Sequence, residues 1–116
     1  MREEPARRHY VESVLATYIS LPGTPTRFSR QDRRLAATLY GRRTPVDAVR
    51  TALLLAAARR TLRSAQAPTL APIRTLFYFL SVIDEVLQAP PEPSYTAYLE
   101  AKLRPLIEEK RRSLPR

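Results

Sequence analysis

Apolar residues recur every three or four positions along most of this chain, in five separate segments. That spacing places apolar side chains on one face of an α-helix. Prolines lie mainly between the segments, where they interrupt a helical chain. The pattern predicts helices at about 5–20, 29–40, 45–63, 72–88 and 94–107.

Local signals at the ends of these segments predict where the second and third helices begin and end. Ser29 and Asp32 have the spacing of a capping box, in which each side chain binds the other residue's backbone N–H. Gly41 stands where a left-handed C-terminal cap is expected. Thr44 is the predicted cap of the third helix, with Pro45 as its first residue.

The fourth segment, 72–88, is apolar on nearly all sides. A helix of that kind is normally buried, so we expect it to be the central helix of the fold. A proline-rich spacer at 89–93 precedes the fifth helix, which Pro105 should kink or split because proline lacks a backbone N–H. We expect the charged tail, 108–116, to fray.

Composition supports an all-α fold formed as a single small bundle of about five helices. The chain has 116 residues, the length of one domain (1–116), and only two glycines. It has no apolar run of membrane-spanning length and no apolar signal-peptide core at its start. It also has no cysteine. These features favour a cytoplasmic protein that does not contact membranes.

The residues needed for most catalytic sites are missing. His9 is the only histidine and there is no cysteine, so neither nucleophile–base pairs nor zinc sites can be assembled in the usual ways. Asp84 and Glu85 are adjacent on a helix and point in different directions. Two isolated glycines cannot form a phosphate-binding loop. We therefore expect no enzymatic activity, no cofactor and no metal site.

Positive charge is concentrated in the middle of the chain. The net charge is +9, and the stretch 27–74 contains eleven arginines against two acids, while basic and acidic residues balance elsewhere. Arginine binds phosphate through two parallel hydrogen bonds, so the stretch is typical of a nucleic-acid-binding surface. The alternative is a solvated face with cations near helix ends. The predicted contacts are Arg27, Arg30, Arg33, Arg34, Arg42, Arg43, Arg50, Arg59, Arg60 and Arg63.

The second and third helices invite comparison with a helix-turn-helix. The turn 41–44 is about one residue longer than usual, and the third helix offers few polar side chains that could contact base edges. Contact with phosphates or with single strands fits better. Phe28 and Tyr40 are the candidate stacking residues, whereas Tyr78 and Phe79 are expected in the core.

The run from Arg34 to Val49 (RLAATLYGRRTPVDAV), with the later run from Pro72 to Leu80 (PIRTLFYFL), carries a family resemblance. Over residues 29–88 the chain resembles the C-terminal helical module of DnaD-like primosome and replication-initiation proteins. The resemblance implies DNA binding, often to single strands, and contact with a helicase loader. The late motif lacks the family's tryptophan, so only the basic positions of the second and third helices are carried over.

These observations favour a DNA-binding accessory module of a replication or mobile-element system, with DNA preferred over RNA. Two alternatives remain. One is a small helical subunit of a ribonucleoprotein, such as a CRISPR effector complex. The other is a protein–protein adaptor whose basic face meets an acidic partner.

Overall fold

Five α-helices and one short 3₁₀ helix make up the secondary structure of the computed structural model, which describes residues 4–114. No strand occurs in that part of the chain. The prediction of an all-α fold with five helices is confirmed. In chain order the elements are α1 (Pro5–Ser20), α2 (Arg30–Gly41), α3 (Val46–Thr61), the 3₁₀ helix (Leu76–Phe79), α4 (Leu80–Gln88) and α5 (Pro93–Ser113).

Helix α3 is the centre of the fold. It packs against α1, α4, α5 and the 3₁₀ helix, and it is buried on most sides. Small side chains such as Ala52 and Ala57 allow neighbouring helices to approach closely around Leu53. The prediction of a central fourth helix is therefore wrong, because α4 buries a single face through Ile83 and Val86 and leaves Leu87 exposed.

The predicted helix at 72–88 is shortened because its first residues bind other parts of the chain. The backbone N–H of Ile73 donates to the carbonyl of Gly23 at 3.0 Å. The N–H of Leu76 donates to Oδ1 of Asp32 at 2.9 Å. These bonds hold 72–75 outside any helix, so the 3₁₀ helix begins at Leu76 and the α-helix only at Leu80.

Helix α3 does not begin in the predicted way. Pro45 occupies the cap position with extended backbone, and no side chain caps the helix. The buried Thr44 contributes its carbonyl instead, which accepts a 2.7 Å hydrogen bond from the Tyr10 hydroxyl. The start of α3 is thus held against α1 rather than capped by a hydroxyl.

Helix α5 differs from its prediction at both ends. It opens at Pro93, within the predicted spacer 89–93, and it continues through Pro105 to Ser113 as one helix. The expected fraying from 108 is wrong for the described part of the tail; residues 115–116 of the tail lie outside the described residues.

Lys110 fixes the last turns of α5 to the end of α1. Its ammonium nitrogen lies 2.6 Å from the carbonyl oxygen of Leu21, 2.9 Å from that of Thr24 and 2.8 Å from the Thr24 hydroxyl. These contacts tie α5 to the turn that follows α1. Burial lowers the pKa of Lys110.

One apolar core connects all these elements. Its buried side chains come from every α-helix and from the 3₁₀ helix. Within the described range, none of the helices is both long enough and apolar enough to cross a membrane.

Candidate nucleic-acid interface

The start of α2 is fixed by the predicted capping box. The Ser29 hydroxyl accepts the Asp32 N–H at 3.0 Å, and Oδ2 of Asp32 accepts the Ser29 N–H at 2.9 Å. The other carboxylate oxygen accepts the N–H of Leu76. Asp32 is 1% exposed, so its negative charge faces the interior of the protein. No other acid lies between residues 27 and 43, and the outer face of α2 therefore carries positive charge alone.

That outer face presents arginines one helical turn apart. Arg30 and Arg34 are exposed at i and i+4, and Arg27 is exposed just before the helix. Arg33 is half-buried, with its guanidinium carbon 5.5 Å from the centre of the exposed Phe28 ring. A cation over an aromatic face is favourable, so Arg33 and Phe28 hold each other in place.

Two more arginines project from the end of α2. Arg43 has φ 60°, while Gly41 is an ordinary last helical residue. The Arg43 N–H bonds the Tyr40 carbonyl and the Thr44 N–H bonds the Leu39 carbonyl, which is the Schellman arrangement. The left-handed cap is therefore Arg43, and the prediction that Gly41 takes this role is wrong. Arg42 and Arg43 are both exposed.

We call these six residues the α2 ridge. They share positive charge and a position on or beside α2: Arg27, Arg30, Arg33, Arg34, Arg42 and Arg43. Among the described residues the only ion pair joins Arg59 to Glu85, so no carboxylate in that part of the chain forms an ion pair with a ridge arginine.

The start of α1 brings two charged residues, Glu4 and Arg7, towards the end of the ridge. The rings of Tyr10 and Tyr40 pack edge to face, 5.3 Å apart, and the Tyr40 hydroxyl donates to Glu4. That bond raises the pKa of Tyr40, and the nearby Arg7 partly offsets the effect. Arg7 is exposed on α1 between Glu4 and Tyr10, the two residues that contact Tyr40. Arg7 is not among the predicted contacts because it belongs to a segment whose charges cancel in sum.

The last three predicted contacts have partners within the chain. Arg59 forms a two-pronged ion pair with Glu85, one arm of which measures 2.9 Å. Arg60 donates to the carbonyl of Ala71, and Arg63 donates to that of Pro68 at 2.8 Å. These arginines attach α4 and the loop 62–72 to the end of α3. Arg50, the remaining predicted contact, is exposed in the first half of α3.

Exposed aromatic residues are close in sequence to Asp32 and Leu76. Phe28, four residues before Asp32, is 40% exposed, and Phe77, next to Leu76, is 51% exposed. Tyr78 is 46% exposed beneath the Arg60 guanidinium, 5.7 Å from ring centre to guanidinium carbon. The expectation that Tyr78 is core is wrong, whereas Phe79 is fully buried as predicted.

Among residues 4–114, no three His, Asp or Glu side chains lie close enough together to hold a metal ion. His9 is exposed on the first turns of α1.

No family model, curated protein or solved structure matches this chain.

Proposed function

We propose that this protein is a nucleic-acid-binding accessory module that holds phosphates through the α2 ridge. The observation that carries the proposal is the charge arrangement around α2. Six arginines lie on or beside a helix of 12 residues. The single acid among them is buried and accepts hydrogen bonds from backbone N–H groups. Cations without carboxylate partners attract the phosphate backbone and release its counterions.

The length of the ridge sets the number of phosphates it reaches. At about 1.5 Å per residue, α2 is roughly 18 Å long. One strand of B-DNA places a phosphate about every 3.4 Å along the helix axis, so the ridge spans about five phosphates.

Burial of α3 supports backbone contact over base reading. A recognition helix must leave one face free to enter the major groove. Helix α3 has buried residues around most of its circumference, and only Asp47, Arg50 and Arg59 are exposed on it. Phe28, Phe77 and Tyr78 supply exposed rings on which unpaired bases can stack, which favours single strands.

The DnaD-like resemblance of residues 29–88 supports DNA over RNA and a place in replication or a mobile element, with a helicase loader as the partner. A ribonucleoprotein subunit would use the same ridge on RNA. An adaptor would use it on an acidic protein. The three functions differ in the polymer that the ridge binds: DNA, RNA or an acidic protein.

The test compares single-stranded DNA, duplex DNA and RNA of equal length over a salt titration. With about five phosphates neutralised, log affinity should fall with log salt at a slope near −4 to −5 on duplex, and less steeply on single strands. Arg27/Arg30/Arg34→Ala should weaken binding at least tenfold and flatten the slope by about one unit for each phosphate-binding arginine removed. Its thermal melting should hardly change, because these side chains are exposed.

The matched control is Lys102/Arg104/Arg111→Ala, which removes three exposed charges from α5. Arg33 is left intact because it packs on Phe28, and Lys110 because it ties α5 to the turn that follows α1. Equal losses of affinity from ridge and control would show that only total charge matters. Absence of binding to every nucleic acid at low salt would refute the proposed function, and tighter binding to RNA would replace DNA with the ribonucleoprotein role.

A further inference from the structure

Negative charge is also segregated in this chain. From Thr75 to Ala101 there is no lysine or arginine, and there are four acids: Asp84, Glu85, Glu92 and Glu100. The net charge of the residues outside 27–74 is zero, because basic residues near both chain ends offset the acids of this stretch. The structure folds the stretch into α4, the proline-rich spacer and the first half of α5.

This acidic stretch forms one side of an open groove of about 610 Å³. The other side is the first two turns of α3. Eight of the twelve lining residues are Ala, Pro, Val or Leu, and the two charged ones, Asp47 and Glu100, are both acidic. The apolar lining is Pro45, Ala48, Val86, Leu87, Pro90, Pro91, Pro93 and Ala97.

We propose that this groove is a docking site for a basic amphipathic helix of a partner protein. Apolar side chains of that helix would fill the space beside Leu87, which is 46% exposed. Lysine or arginine side chains flanking them would meet Asp47 and Glu100. Helix-in-groove recognition uses apolar anchors three or four residues apart, and two turns of α3 offer room for two such anchors. The inference is independent of the proposed function, because it uses no ridge residue.

Charge complementarity selects this occupant. The protein as a whole carries +9 and should repel a basic peptide, so binding of one requires a local surface of opposite sign. The ridge of a second copy is a poor occupant, since its apolar residues Leu35 and Leu39 are buried against its own core. A nucleic acid is a poor occupant of the groove, because the same two acids repel its phosphates.

The experiment uses three fluorescently labelled 14-residue helical peptides with the full chain at about 0.15 M salt, where charges more than roughly 8 Å apart are largely screened. The first has leucines on one face and lysines elsewhere. The second replaces its lysines with glutamates, and the third replaces its leucines with serines. The expected result is binding of the leucine–lysine peptide at least tenfold tighter than either of the others.

The double variant Leu87→Gln/Glu100→Lys should weaken that binding at least tenfold. Its control, Leu114→Gln/Glu108→Lys, changes an exposed leucine and an exposed glutamate of the C-terminal region, outside the groove lining, and should leave affinity unchanged. Far-UV circular dichroism of both variants verifies that they fold.

Four outcomes would overturn the proposal. They are failure of the leucine–lysine peptide to bind, preference for the glutamate peptide, equal losses of affinity from the two double variants, and concentration-dependent dimerisation that Leu87→Gln/Glu100→Lys abolishes. The last would assign the groove to a second copy of this chain. Of the four, only preference for the glutamate peptide also bears on the ridge, because an acidic peptide can bind its arginines; the test of the ridge itself uses nucleic acid.

Discussion

Two buried tyrosines on the same face of α1 have different hydrogen-bonding states. The Tyr10 hydroxyl donates to the carbonyl of Thr44, whereas the Tyr18 hydroxyl, equally shielded from solvent, has no partner among the described residues. The Tyr18 ring still packs edge to face on Phe79, 5.9 Å away. A buried hydroxyl without a partner costs free energy, so the two positions should respond in opposite ways to loss of the hydroxyl.

We predict that Tyr10→Phe lowers the free energy of unfolding by about 1–2 kcal/mol, while Tyr18→Phe leaves it unchanged or raises it by up to about 1 kcal/mol. Urea titrations at pH 7 measure both. Equal destabilisation of the two variants would show that Tyr18 has a hydrogen-bond partner in solution.

Tyr10 and Tyr18 also make the stability of the protein depend on pH in alkaline solution. Burial raises the pKa of Tyr10 to about 12 and that of Tyr18 still further, with the Asp32 carboxylate adding to the second shift. Their contribution to stability is complete below the ordinary tyrosine pKa near 10 and is lost as pH rises through the folded-state values. Either Phe variant should therefore lose stability less steeply than the wild type above pH 10. The pKa of Lys110 is lowered, so its contribution changes stability in the opposite direction as pH rises. Because the wild type and both Phe variants contain Lys110, this contribution does not affect the comparison.

At the scale of the elements, residues close in sequence were the easiest to predict. The capping box of α2 involves Ser29 and Asp32, three positions apart, and it is present as predicted. What the sequence could not show is the second use of Asp32, whose partner Leu76 lies 44 positions away. That long-range bond is also why the fourth helix begins later than its apolar pattern indicates.

In the candidate site, too, features set by local sequence could be predicted, whereas contacts between distant residues could not. Exposure of Arg30 and Arg34 follows from helical spacing relative to the apolar positions Leu35 and Leu39, which are both buried. The pairing of Arg59 with Glu85, 26 positions away, depends on how α3 meets α4, and nothing in local sequence specifies it.

Lys110 links two elements far apart in the chain, and we predict that Lys110→Met lowers the free energy of unfolding by about 1.5–3 kcal/mol. The reason is the loss of charged hydrogen bonds to the partly buried carbonyls of Leu21 and Thr24. The neighbouring Arg111 is exposed, so Arg111→Met should change stability by no more than about 0.5 kcal/mol. Chemical denaturation followed by circular dichroism compares the two. Equal small effects would mean that the end of α5 is frayed in solution.

Across the molecule, positive charge is concentrated on and beside α2, whereas the charged residues that line the groove, Asp47 and Glu100, are both acidic. The α2 ridge is positive, while the groove between α3 and α5 is apolar and negative. On a polyanion such a molecule is oriented, since the ridge is attracted and the acidic stretch is repelled.

Because one core includes side chains of every helix, we predict a single cooperative unfolding transition. Ellipticity in the far ultraviolet reports the helices, and tyrosine signals in the near ultraviolet report packing around Tyr10 and Tyr18. Their midpoints should coincide within error in the wild type and in Lys110→Met. Separate midpoints would indicate that α5 or the loop 62–72 unfolds independently.

The attachment of Lys110 to the end of α1 also constrains how the chain folds while it is being made. The carbonyls of Leu21 and Thr24 leave the ribosome more than 80 residues before the ammonium group that binds them. During synthesis at about 5–20 residues per second, the first helix waits several seconds for its final partner. A nascent chain halted before Lys110 would lack these bonds, and the native state is therefore completed only after the last turns of α5 have been synthesised.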